Sequence, residues 1–139
     1  LMVVETEKGS IKIKLMEDKA PMAVENILKL TSKKYFDGLA FFRVEDGNFV
    51  MAGNPLGEGG ADVAAEISDL KNVEGAVGLA RLPDIVNPLK LSSASQFYIC
   101  LSDQPQFDGE FTVFGMVVEG MEIVQSIAPG DLITKITVQ

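Results

Sequence analysis

Apolar and polar residues alternate through Ile11, Lys12, Ile13, Lys14 and Leu15, the period-2 signature of a strand with one buried face. The run from Val3 to Glu7 precedes it across Lys8-Gly9-Ser10, so Val3 to Met16 predicts a hairpin. Pro21 then opens a segment in which Val24, Ile27, Leu28 and Thr31 recur at helical spacing. Proline suits a first helical turn, where its missing N–H would be unpaired anyway, and the pattern predicts one helix ending near Lys34. Two more apolar runs, Leu39 to Val44 and Phe49 to Ala52, flank Asp46-Gly47, a dipeptide that favours positive φ between paired strands. In this second hairpin, alternation puts Phe41, Arg43 and Glu45 on one face of the first strand, and Phe49 and Met51 on one face of the second.

Further along, Gly53 to Gly60 is too irregular for a strand and too rich in glycine for a helix. Val77 to Ala80 predicts a short buried strand, and Leu82 to Ser95, with its prolines and serine cluster, a long polar loop. Gln96 to Leu101 and Phe111 to Val118 are strands with a turn at Asp108-Gly109, Gly120 to Ile127 is a short helix, and Ile133 to Val138 is a last strand. Eight strands and two helices without βαβ alternation predict a mainly β fold. The expected form is a closed eight-stranded antiparallel β-barrel capped by two α-helices, built as a single domain over residues 1–139.

Charge narrows the function. Twelve basic against twenty acidic residues give a net charge of −8, with no basic run longer than Lys33-Lys34. Binding to nucleic acid by counterion release is therefore disfavoured, as is attachment to an anionic membrane surface. There is no histidine, which excludes Ser-His-Asp and Cys-His catalysis in their usual forms and removes the commonest metal ligand. The single cysteine, Cys100, lies in an apolar run and reads as a small buried hydrophobe. No apolar run approaches the length of a membrane span and no basic leader precedes the first strand. A cytoplasmic monomer is expected, or a periplasmic one if the chain is a processed form, with no cofactor and no metal.

The glycine-rich passage lacks a following Gly-Lys-Ser/Thr and carries Glu58 and Asp62, which would repel phosphate, so it reads as a plain loop. Asp103, Asp108 and Glu110 suggest paired carboxylates, but turn chemistry explains Asp108-Gly109 better. Arg43 among apolar neighbours invites two readings: an ion pair with Glu45 on an exposed strand, or a functional cation. Phe49, Tyr98 and Phe107 read equally as barrel core or as the lining of a pocket.

Three segments together resemble the cyclophilin-type peptidyl-prolyl isomerases: Phe41-Phe42-Arg43-Val44 through Ala52-Gly53-Asn54-Pro55, then Ser93 to Ile99, then Phe107-Asp108-Gly109 through Thr112 to Gly115 and Val118 to Met121. The resemblance spans nearly the whole chain. It implies an eight-stranded barrel with a peptide groove on its outer surface. It also implies that Arg43 is the catalytic arginine and that Gln96 anchors the peptide backbone. Tyr98 falls at the aromatic of the proline pocket and Phe107 at its large aliphatic position. Ala80 falls at the small residue that lets the substrate backbone approach, and Arg81 at a neighbour that is often Asn. Asn48 and Phe49 stand where the family has Phe and then Met, so the aromatic is displaced by one residue. Met51 replaces a glutamine that orients the arginine, Phe111 a common His or polar group, Phe42 a frequent His, and Gln106 an aromatic that contacts cyclosporin. These departures imply a reduced rate and weak cyclosporin binding.

The chemistry so implied needs no covalent step. Rotation about Xaa-Pro is opposed by amide resonance, a barrier of roughly 18–20 kcal/mol. Twisting returns a lone pair to the proline nitrogen, and a donor aimed there stabilises the twisted state above either planar one. Arg43 would be that donor, with Phe49, Met51, Tyr98, Phe107 and Phe111 holding the ring and Gln96 the backbone of a proline-containing polypeptide. Two rivals are a Pro-peptide binding module with weakened catalysis and, last, an apolar-ligand carrier with a hollow barrel, which the many inward Ile, Val, Leu and Phe would fill.

Overall fold

Every strand and both helices that the pattern predicts are present in the computed structural model, which describes residues 1–139. The elements are β1 (Met2–Thr6), β2 (Gly9–Leu15), α1 (Pro21–Ser32), β3 (Arg43–Glu45), β4 (Phe49–Gly53), β5 (Ala76–Leu79), β6 (Gln96–Cys100), β7 (Val113–Glu119), α2 (Met121–Ser126) and β8 (Ile133–Val138). A single 3-10 turn covers Pro105–Phe107. No helix is long and apolar enough to cross a membrane.

The strands form one antiparallel sheet in the order β3-β4-β6-β5-β7-β2-β1-β8. Register shifts at Glu5/Thr6, Lys12/Ile13 and Val77/Gly78 add local twist, and the sheet curls into a half-barrel. The edge strands β3 and β8 share no ladder, so the closed barrel expected above is not what the strands themselves form. Contact between the two edges is made by the segment before β3 and the residues at and before the start of β8, with an isolated bridge between Ala40 and Leu132. The first strand of the second hairpin is correspondingly shorter than expected. Residues 39–42 leave the strand, and Phe41 turns into the core, fully buried, instead of sharing a face with Arg43.

The concave face is packed with Met2, Val4, Ile11, Ile13, Val50, Val77, Leu79, Phe97, Ile99, Phe114 and Ile133, joined by Ala23, Val24, Ile27 and Leu30 of α1 and Val124 of α2. That set fills the space a hollow carrier would need. The helix α1 packs on β8 and α2 on β2.

Helix α1 starts without a local cap, since Ala20 at its N-cap has no side-chain acceptor. Glu66 reaches in from a distant loop instead, its carboxylate accepting the backbone N–H of Met22 at 3.0 Å and of Ala23 at 2.8 Å. Two otherwise unpaired donors are satisfied at the positive end of the helix dipole. Replacing Glu66 with Ala is expected to cost about 1 kcal/mol of folding stability, measured as a lower urea midpoint with an unchanged slope.

Candidate active site

The sheet has a second apolar face. On β4, Val50 and Ala52 enter the core while Phe49 and Met51 point outward; on β6, Phe97 and Ile99 enter and Tyr98 and Cys100 point outward. The outward set gathers Ala76, Tyr98, Cys100 and Val113 with Phe49, Met51, Leu70, Phe107, Phe111 and Met116 into a cluster separate from the core. This settles what spacing left open: Phe49, Tyr98 and Phe107 belong to an outer apolar surface and not to the barrel interior.

The rings meet edge to face, except for the tilted pair Phe107 and Phe111. Tyr98 lies 5.5 Å from Phe111 and 5.9 Å from Phe107, Phe107 lies 5.0 Å from Phe111, and Phe49 closes the group at 5.9 Å from Phe107 and 6.4 Å from Tyr98. Such contacts add about 0.5–1.5 kcal/mol per pair beyond area burial. Tyr98 is 2% exposed, and its ring crosses Gly78 on β5, where a Cβ would stand 2.7 Å from Cε2. Its hydroxyl donates to Oδ1 of buried Asn72 at 2.6 Å, and burial pushes its pKa upward. Asn72 is in turn fixed by Asp108, which accepts its backbone N–H at 2.7 Å. Asp108 is thus a brace for the cluster, and Asp103 likewise accepts the N–H of Glu74 at 3.0 Å. Cys100 is fully buried, and burial above all, then the nearby Asp108, pushes its thiol up to about 12.

Two arginines bound this aromatic surface. Arg43 leaves β3 opposite Met51, its guanidinium carbon 5.2 Å from the centre of the Phe49 ring. Glu45, on the same strand face, accepts from Nε at 2.9 Å and lies 2.9 Å from Nη2. The ion pair with Glu45 is therefore present, and Arg43 also lies beside the aromatic surface with Nη1 free of protein partners. Met51 is half-buried and gives Arg43 no hydrogen bond. The acceptor that its thioether cannot be is supplied by Glu45 instead, the pairing that strand alternation offered as one reading of Arg43.

At the other boundary, the Arg81 guanidinium lies 4.8 Å from the Phe111 ring centre. Its side chain is only 7% exposed. It donates from Nε to the carbonyl of Glu110 at 2.7 Å and pairs through Nη1 with Asp84 at 2.8 Å. Arg81 thus clamps the following loop and has few donors to offer a ligand. Ala80 is buried, with its N–H given to Gln96 and its carbonyl taken by Ser93. Gln96 donates from Nε2 to the carbonyl of Asn54 at 2.7 Å, which turns its carboxamide oxygen into the available acceptor. Asn48 is exposed in the hairpin turn, its carbonyl accepting the N–H of Leu101. A cavity of about 470 Å³ lies beyond Gln96 and Arg81, bordered by Pro55, Leu56, Asp62, Leu82 and Val86.

The site is thus an outward aromatic surface between two arginines, carried on a curled eight-stranded half-barrel with two helices. Comparison with known proteins shows the family. Residues 1–138 match the family model described as cyclophilin type peptidyl-prolyl cis-trans isomerase/CLD. A peptidyl-prolyl cis-trans isomerase of Synechococcus elongatus is 33% identical over 98% of this chain and 94% of its own. One from Helicobacter pylori is 32% identical over 96% and 83%. Among solved structures, a cyclophilin type isomerase of Cryptosporidium parvum superposes with a TM-score of 0.86 at 26% identity, covering 99% of this chain and 96% of the other. The same Cryptosporidium parvum isomerase crystallised in the presence of the dipeptide Ala-Pro superposes with a TM-score of 0.87 at 23% identity, over 99% and 98%. The chain belongs to the cyclophilin-type peptidyl-prolyl cis-trans isomerase family.

Tyr98→Phe keeps the ring and strands the Oδ1 of Asn72. It is expected to lower stability by about 1–3 kcal/mol in chemical denaturation, while the near-ultraviolet signature of the folded cluster persists.

Proposed function

We propose that this isomerase rotates Xaa-Pro bonds by seating the proline ring on the outer apolar surface of Phe49, Met51, Phe107 and Phe111, over a floor made by Tyr98, with Arg43 donating to the twisted amide nitrogen. The observation that carries the proposal is the position of Arg43, at the edge of that surface with one end of its guanidinium free. The charge is permanent and the donors are planar and directional, so they serve a lone pair that appears only when resonance is broken. Gln96 holds the peptide through its carboxamide oxygen, which accepts a backbone N–H. The Ala-Pro dipeptide present with the Cryptosporidium parvum neighbour supports a proline-containing polypeptide as substrate. Ala80 and Asn48 border the peptide only through their backbone surroundings, and Arg81 does so as a wall. Cyclosporin binding would be weak, since Gln106 offers no aromatic face.

The same proposal includes a barrel that closes between segments 38–41 and 130–133. Backbone hydrogen bonds of 2.8 Å from Gly38 to Ile133, from Ile133 to Leu39 and from Phe41 to Asp131 support it. Closure would hold β3, and with it Arg43, at a fixed angle.

A second reading, a proline-peptide binder with weakened catalysis, draws on the Nε2 of Gln96 being taken by Asn54. Exchange between cis and trans signals of a short Xaa-Pro peptide separates the two. Acceleration by the parent protein and a loss of about 10²–10³-fold in Arg43→Ala are expected; peptide binding with no acceleration would leave the binder.

Glu45 is expected to act through Arg43. An exposed ion pair is worth only about 0–1 kcal/mol in stability, so its effect should appear in kcat. Glu45→Ala is expected to lower kcat about fivefold with little change in KM, a loss equivalent to about 1 kcal/mol. Glu45→Gln, which keeps an acceptor, is expected to restore most of it. Met51→Gln is expected to change kcat by less than about twofold, because the arginine is already held.

A further inference from the structure

The glycine-rich passage Gly53 to Gly60, a plain loop by composition, is tied by a chain of hydrogen bonds that begins outside the aromatic site. Tyr35 lies just past α1, its N–H given to the carbonyl of Leu30 at 3.0 Å and its ring set edge-on to buried Phe36 at 5.6 Å. Its hydroxyl donates to the carbonyl of Glu58 at 2.6 Å and accepts from Nδ2 of Asn54 at 2.9 Å. Asn54 spends its other groups on the loop and on β6. Its Oδ1 accepts the N–H of Leu56 at 2.9 Å, and its own N–H is given to the carbonyl of Ser95 at 3.0 Å. Its carbonyl accepts the N–H of Gly57 at 2.9 Å and Nε2 of Gln96 at 2.7 Å. The loop comes nearest the tyrosine at Gly59, where φ is +127° and a Cβ would stand 2.6 Å from the Tyr35 hydroxyl and 3.0 Å from Cβ of Ser95. Only a residue without a side chain fits there. A hydroxyl at the surface can be satisfied by water; this one has two protein partners, and both lie on the segment that holds Gln96.

We propose that Tyr35 and Asn54 are positioning residues for Gln96, an assignment that rests on the isomerase reading and deepens it. A carboxamide carries a donor at one corner and an acceptor at the other, and rotation about its last bond exchanges them. The Asn54 carbonyl decides between the two: with Nε2 spent on it, Oε1 is left to accept from a peptide N–H. That carbonyl belongs to a segment with little else to hold it, since residues 54–60 form no strand and Pro55, Leu56 and Glu58 are exposed. Its direction is set by the Asn54 side chain, which is clamped between the Leu56 N–H and the Tyr35 hydroxyl. Tyr35 in turn is referred to the core. Phe36, against which its ring packs, meets the ring of Phe97 at 5.6 Å, and Phe97 adjoins Gln96 on β6. The two ends of the chain, hydroxyl and carboxamide, are thereby fixed to the same strand. A backbone anchor of this kind holds the planar and the twisted peptide alike, so its positioning supplies affinity and not rate.

Tyr35→Phe keeps the ring and removes the hydroxyl, and Asn54→Ala removes the same link from the loop side. Each is expected to raise KM for a short Xaa-Pro peptide about fivefold while kcat changes by less than about twofold, the pattern of lost uniform binding. The side-chain amide resonances of Gln96 are expected to shift in both. Gln96→Ala is expected to raise KM at least as much. Tyr35→Phe added to Gln96→Ala is expected to raise it by no more than about 1.5-fold further, because effects passing through one group do not add. An unchanged KM in either folded variant, or a fall in kcat with KM unmoved, would overturn the proposal. So would an undiminished effect of Tyr35→Phe in the Gln96→Ala background, since the hydroxyl would then serve the fold and not the anchor. Should Tyr35→Phe fail to fold, Asn54→Ala carries the same cycle against Gln96→Ala. Peptide binding by the parent protein without any isomerisation would remove the isomerase reading alone; the same cycle, measured in dissociation constants, then upholds or overturns the positioning roles by the same fold-changes.

Discussion

The site depends on the pleat of β6. Phe97 and Ile99 point into the core and Tyr98 and Cys100 point out, so one five-residue strand is buried on both faces. Antiparallel sheets commonly leave one face wet; here the middle of the sheet is covered on both. That arrangement separates the residues of the core from those of the outer aromatic surface. The core is closed before the outer surface begins, so the proline ring of the proposed substrate would rest on Phe49, Phe107 and Phe111 without opening the interior.

Around this strand the polar groups act at long range. Glu66 caps α1 from a loop more than forty residues away, Asp108 fixes Asn72 and through it Tyr98, and Glu110 receives both Arg81 and Lys90. The exposed ion pair among them contributes little free energy by itself. Their importance is geometric: Asp108 and Glu110 hold loops against the outer surface, and Glu66 fixes the start of α1. Arg43 and Glu45 follow the same logic on a single strand face, and the family's orienting amide can be absent without leaving the guanidinium unsupported.

Much of this was legible beforehand. Ile11 to Leu15, the proline-led helix and the Asp46-Gly47 turn gave their elements within a few residues, because local periodicity and turn chemistry act between neighbours. Arg43 and Gln96 were recognisable from motif order. The inward turn of Phe41 was not legible, because alternation continued past the point where pairing with Leu132 takes the chain out of the strand. The loop 82–91 reads as polar, yet Asp84 and Lys90 are engaged in ion pairs while Leu82, Ile85, Val86 and Leu89 stand exposed, since composition does not say which side chains find partners.

The sequence by itself therefore determined the elements, the mainly β class and the identity of the candidate arginine, because these follow from residue type and spacing along the chain. Only the tertiary structure decided that the aromatic residues lie on the outer face, that Glu66 caps a helix from a distant loop, and that Arg81 reaches the carbonyl of Glu110. Each of those facts is a contact set by sheet register or by a distant partner, and such contacts exist only once the chain has closed on itself.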